Sequence, residues 1–195
     1  MFMPFIATSA QDNSWEQPEP GKTATNPDAK YLAGAVPEVD GKVVFSTTIK
    51  APGKTKEQIF NILLDRMTKM TKEPNQFEQS RIVLADEKNH SQIVGNYQEW
   101  LVFKNKPLVL DRTRMFYHLM VDIKDGEAKV DLTRIYYLYD EERLPQTFQA
   151  EEWINDQYGL NKKKTKLSRV SGKFRRKTID RKDYIFDNFT KLLAE

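Results

Sequence analysis

Three successive stretches between Gln92 and Tyr139 alternate apolar and polar residues with a period of two, and only two tight turns separate them. In the middle stretch, Leu108 to Ile123, the residues Met115, Tyr117, Leu119, Val121 and Ile123 share one side. The stretch before it runs from about Gln92 to Phe103, and Asn105-Lys106-Pro107 turns the chain between the two. The stretch after it, Glu127 to Tyr139, is entered through Asp125-Gly126, where glycine tolerates the positive φ of a tight hairpin. Read at period two, this last strand puts Ala128, Val130, Leu132, Tyr136 and Leu138 on one face and Thr133, Tyr137 and Tyr139 on the other. Strands joined by turns this short pair antiparallel. The apolar face of such a sheet needs a cover.

The flanking sequence supplies one. Val43, Phe45, Thr47 and Ile49 alternate along a first strand that ends at Ala51-Pro52-Gly53. Thr55, with Gln58 three residues later, has the spacing of a capping box. Ile59, Ile62, Leu63, Met67 and Met70 then recur at helical spacing until Glu73-Pro74. A short strand near Ser80–Asp86 and a polar turn at Glu87–His90 lead into the long strands. After Asp140-Glu141-Glu142 the chain is irregular up to a final helix over about 177–193, which aligns Ile185, Phe189 and Leu192. The order β-α-β-β-β-β-α predicts one α+β domain over 30–195, an antiparallel sheet packed under helices.

A hydrophobic fraction of 39% is enough to fill such a core, while 30% charged residues exclude a membrane-embedded body. No stretch approaches the ~20 apolar residues needed to span a bilayer as a helix. Without cysteine the chain has no disulfide, thiol nucleophile, Cys-based zinc site or lipid-anchored cysteine. Net charge is only +3, yet from Asn161 onward 12 Lys/Arg face 4 Asp/Glu, leaving the rest mildly acidic. Such asymmetry fits either an anionic partner or a solvated loop followed by a charged helix face.

The first residues, Met1 to Ala10, form an apolar run ending in small residues, with Thr8 and Ala10 three and one before a cut at Gln11. That spacing matches a signal-peptidase site, although the basic region that opens a full signal is missing. The expectation is the remnant of an export signal over 1–10, and an apolar N-terminal strand is the alternative. Residues 11–29, with Pro18, Pro20, Gly21 and Pro27, are expected to be a flexible leader. An exported, periplasmic, envelope-associated or secreted location follows from this reading.

The segment Tyr31-Leu32-Ala33-Gly34-Ala35-Val36-Pro37-Glu38-Val39-Asp40-Gly41-Lys42-Val43-Val44-Phe45 resembles the opening of a family of exported proteins from Gram-negative anaerobes. That family is a domain of unknown function with a TATA-binding-protein-like fold. The resemblance extends to about Tyr139 and again through the last helix, and it implies the fold and an envelope or secreted location. It implies no catalytic residues, and the fold name does not imply DNA binding.

Motifs for chemistry are few. Gly53-Lys54-Thr55 imitates the end of a phosphate-binding loop, but the position of the loop's first glycine is Thr48, so a turn and helix cap is expected. The two histidines, His90 and His118, cannot form an HExxH site, and no GxSxG elbow occurs. No metal or cofactor is expected. The candidate ligand-binding residues lie on the sheet face opposite the core: Asn96, Gln98 and Trp100 of the third strand, Arg112, Arg114, Phe116 and His118 of the fourth, and Tyr137 of the fifth. Aromatic bodies among Arg and amide donors suit sugars, peptides or bases. A second candidate is a basic loop over 161–177, in which Lys162, Lys163, Lys164, Arg175, Arg176 and Lys177 would meet an anionic membrane surface; nucleic acid is disfavoured there because only Phe174 interleaves the charges. The expected function is a non-enzymatic binding or interaction domain of the cell envelope. The alternatives are a carrier of apolar ligands between sheet and last helix, and an enzyme with a site assembled around His118.

Overall fold

The computed structural model describes Asn13, Trp15, Glu16 and residues 26–195. In chain order its elements are β1 (Glu38–Val39), β2 (Lys42–Lys50), α1 (Lys56–Met70), β3 (Arg81–Ala85), β4 (Gln92–Lys106), β5 (Val109–Lys124), β6 (Glu127–Tyr139), β7 (Gln146–Gln149) and α2 (Gly172–Ala194). The strands form one antiparallel sheet in the order β1-β2-β6-β5-β4-β3, with β7 also against β6. The expected α+β architecture is present, with β1 and β7 added. The hairpin at Asp125-Gly126 falls where expected, while the other turns at Pro107-Leu108, with Asn105 and Lys106 still paired in β4. Gly126 has φ 73° between Lys124 and Glu127, and Leu108 has φ 64° between Lys106 and Val109.

β6 departs from strict alternation. Phe116 pairs with Tyr136 and His118 with Thr133, so Arg134 and Ile135 together oppose Tyr117 alone. This is a β-bulge, with Arg134 at φ 52°. The extra residue moves the core side from Ala128, Val130 and Leu132 to Ile135 and Tyr137. Tyr137 is therefore buried in the core, and Tyr136 takes its place on the other face. The bulge falls where the outer neighbour of β6 changes from β2, ending at Thr133, to β7, starting at Tyr136.

Both helices cover the same face. The capping box starts α1: the Gln58 N–H donates to Thr55 Oγ1, and the Thr55 N–H to Gln58 Oε1. α1 buries Ile59, Phe60, Leu63, Met67 and Met70, each worth about 2–3 kcal/mol on full burial. α2 begins at Gly172, earlier than its periodicity suggests, because Phe174, Arg175, Thr178, Ile179 and Arg181 are buried ahead of Ile185 and Phe189. The Phe174 ring contacts those of Phe103, Tyr137, Tyr139, Phe148 and Trp153, which fill the space between sheet and helix. Tyr137 and Thr178 hydrogen-bond at 2.7 Å within it.

Two arginines read as charged surface are buried. Arg181 Nε donates to Glu99 Oε1 at 2.8 Å, and its Nη2 donates to Glu73 Oε2 at 2.8 Å. Gln76 donates to the other Glu99 oxygen and Arg66 to the other Glu73 oxygen, so the cluster ties both helices to β4. Burial pushes the Glu99 carboxyl up against the pull of Arg181. Arg175 donates to the carbonyls of Tyr31, Leu32 and Ile154 and to Asp156, pinning the segments before β1 and after β7 to α2.

The apolar run Met1–Ala10 lies outside the described residues. In the leader, Asn13 is buried and pairs with both main-chain groups of Val102, accepting from its N–H and donating to its carbonyl. Trp15 is buried near Tyr184 and Arg181, and Glu16 pairs with Lys177. A leader free of the domain does not hold at these three positions: an amide able to pair with an exposed strand edge and a tryptophan with apolar surface to cover both bind to it.

Candidate functional site

On the uncovered face, strand register sets side chains into rows. Trp100 lies opposite Arg114, and Arg114 opposite Leu138. Gln98, Phe116 and Tyr136 form the next row, and Asn96, His118 and Thr133 the one after. The expected residues on β4 and β5 are thus brought together, half-buried, and Tyr136 stands where Tyr137 was expected.

The rings and guanidinium groups are stacked on one another. Phe116 and Tyr136 lie parallel with centroids 4.3 Å apart. The Arg112 guanidinium sits 3.7 Å from the Trp100 ring centroid, and that of Arg114 3.9 Å from Phe77. Phe77 in turn contacts Trp100 at 5.0 Å. Arg114 is also gripped in a two-pronged pair by Glu141, Nε to Oε1 at 2.9 Å and Nη2 to Oε2 at 2.6 Å. A planar guanidinium held on both its edge and its face loses most of its freedom before any ligand arrives. This end of the face is preorganised.

Beside it, a cleft of about 130 Å³ is lined by Trp100, Leu110, Arg112, Tyr139 and the loop Asp140–Arg143. Neither Phe77 nor the Asp140-Glu141-Glu142 run is marked by the sequence as part of this face. The only signal for Phe77 was an isolated ring in the polar run between Asn75 and Ser80. That run continues the β3 edge along β4, the Phe77 N–H donating to the Gln98 carbonyl, which lays the ring over the face.

His118 sits further along. Burial, and then the nearby Arg134 charge, hold its imidazole below the usual histidine range, which favours the neutral ring. It hydrogen-bonds no carboxylate among the described residues and does not line the cleft beside Trp100. Among the described residues no three His, Asp or Glu gather in a metal-binding set.

The basic segment divides. Lys162, Lys163 and Lys164 are exposed. Arg175 is fully buried among carbonyls and contributes nothing to a surface, which corrects its assignment. Arg176 pairs with Asp28 and Lys177 with Glu16. The six residues do not form one docking surface, because the helix draws its own cations into the fold.

A family model described as a domain of unknown function (DUF4468) with TBP-like fold matches residues 45–138. The crystal structure of a DUF4468 family protein from Bacteroides ovatus superposes with a TM-score of 0.80 at 43% identity, covering 87% of this chain and 96% of that one. The chain belongs to the DUF4468 family. A TBP-like protein from Parabacteroides distasonis shares the fold at a TM-score of 0.63 and 17% identity, over 82% of this chain and 99% of that one. A search of functionally curated proteins finds no match. No helix of this DUF4468 member is long and apolar enough among its described residues to cross a membrane.

Proposed function

We propose that this DUF4468 domain is a non-enzymatic binding module of the bacterial cell envelope that holds its partner on the open sheet face. The observation that carries the reading is the preorganised cluster of Phe77, Trp100, Arg112, Arg114, Phe116 and Tyr136, with Gln98 beside it. Flat apolar surfaces edged by fixed donors favour a ligand with both a face and acceptors, such as a sugar ring or an extended peptide. The packing of Phe174 with its five ring neighbours weighs against an apolar carrier at that point. The isolation of His118 from carboxylates weighs against acid–base catalysis there. The small residues Thr8 and Ala10 at the end of the apolar opening support the exported address.

The test is a ¹⁵N–¹H NMR titration of the domain with pools of oligosaccharides and peptides. Ligand-induced shifts centred on Gln98, Trp100, Phe116 and Tyr136, abolished by Trp100→Ala, support the reading. Ligands that map only elsewhere, or turnover of any pool member, overturn it.

A further inference from the structure

We infer that the end of the molecule where α2 begins is a docking surface for an anionic phospholipid bilayer. Loop 161–170 supplies the charge and the tip of the β4–β5 hairpin supplies an apolar anchor. Every Lys and Arg between Lys173 and Lys182 is ion-paired, to Asp111, Asp156, Asp28, Glu16, Glu73 with Glu99, and Asp183 in turn. Lys162, Lys163, Lys164, Lys166 and Arg169 are exposed, and none makes an ion pair among the described residues. The contrast lies within one stretch of chain, so it is not a matter of overall composition.

The loop has a fixed shape. Asn161 Oδ1 accepts the N–H groups of Thr165 and Lys166, its own N–H donates to the Lys166 carbonyl, and Leu160 bridges to Leu167. The lysines are therefore presented on a turn closed by its own hydrogen bonds.

At the hairpin tip, Leu108 is fully exposed at φ 64°, a conformation unfavourable for a branched side chain. Val109 and Leu110 beside it are also exposed. Lys104 and Lys106 flank the tip, and neither makes an ion pair among the described residues. The first turn of α2, which the loop leads into, meets the base of the hairpin. Lys173, just inside α2, bonds both Asp111 oxygens at the base of the hairpin, and Phe174 packs on Phe103. The acidic residues near the hairpin are engaged within the fold: Asp111 by Lys173, Glu141 by Arg114, Asp140 by Arg143, and Glu142 lies 3.6 Å from Arg112. A bilayer interface is the partner that uses both features, since lysines meet headgroups while a protruding leucine enters the acyl boundary. A soluble polyanion would use the lysines and leave Leu108 idle.

The experiment is sedimentation of the full chain with vesicles of phosphatidylcholine alone or mixed with phosphatidylglycerol. Binding is expected only to the mixed vesicles and to weaken with salt. The triple variant Lys162→Ala, Lys163→Ala, Lys164→Ala should bind about a hundredfold more weakly. Leu108→Gly suits the positive φ and so keeps the hairpin, and it should weaken binding roughly tenfold. Equal binding to both vesicle types, no binding to either, or an unchanged affinity in Leu108→Gly overturns the proposal, the last by assigning the lysines to a soluble polyanion.

Discussion

The two faces of the sheet each carry arginine–carboxylate pairs and stacked aromatic rings, and they use them differently. On the helix face, Arg181 and Glu99 are buried beside the stacked rings of Tyr97 and Tyr117, 5.2 Å apart. On the open face, Arg114 and Glu141 are partly exposed beside Phe77 and Phe116. The chemistry is similar and the dielectric surroundings are not. A buried pair is costly to break because its surviving partner is left charged in a poor solvent. A partly exposed pair keeps contact with water, so its geometry is free for recognition. The comparison assigns stability to one face and binding to the other.

The largest effect that could break this comparison is at Arg181. Arg181→Met leaves the buried Glu99 without its cation and Glu73 with Arg66 alone, and should destabilise by about 3–5 kcal/mol, lowering Tm by roughly 10 °C in a thermal melt. The equivalent change on the open face, Arg114→Met, should cost about 1 kcal/mol or less. Equal losses would mean that both faces are structural.

Arg175 sharpens the same contrast within the basic segment. Arg175→Ala strands three carbonyls and Asp156, and denaturant unfolding should show a loss of about 3 kcal/mol. Lys164→Ala, in the exposed loop that precedes α2, should stay within about 0.5 kcal/mol. Smaller still is the pair created by the bulge. Tyr137→Phe loses the hydrogen bond to Thr178 and should cost about 1 kcal/mol, whereas Tyr136→Phe should cost nearly nothing.

These pairs also mark what was legible in the sequence. The long strands, both hairpin turns and the capped helix follow from alternation, glycine placement and the Thr55–Gln58 spacing, all of them local rules. The phase change in β6 was hidden because Arg134 carries no glycine or proline mark. It arises where β2 gives way to β7, and that is tertiary. The early start of α2 was hidden for a related reason. Arg175 and Arg181 read as surface residues until their partners, distant in sequence, are known. For the open face, alternation alone collected the residues of β4 and β5, and it failed only past the bulge, where Tyr136 replaced Tyr137.

The smallest expected effect is the pH response of His118. Its folded-state pKa is lowered, so between that value and about 6.5 the unfolded chain binds more protons and stability rises with pH. Acidification through this window should therefore cost a little stability, and His118→Gln should remove that slope in melts recorded across it.

The most direct test of the division of labour measures stability and binding in the same variant. Trp100→Ala with Phe116→Ala should keep Tm within a few degrees of the parent while abolishing the NMR shifts produced by face-binding ligands. A collapse of Tm, or unchanged ligand shifts in a folded variant, would contradict the account and return the open face to an ordinary structural surface.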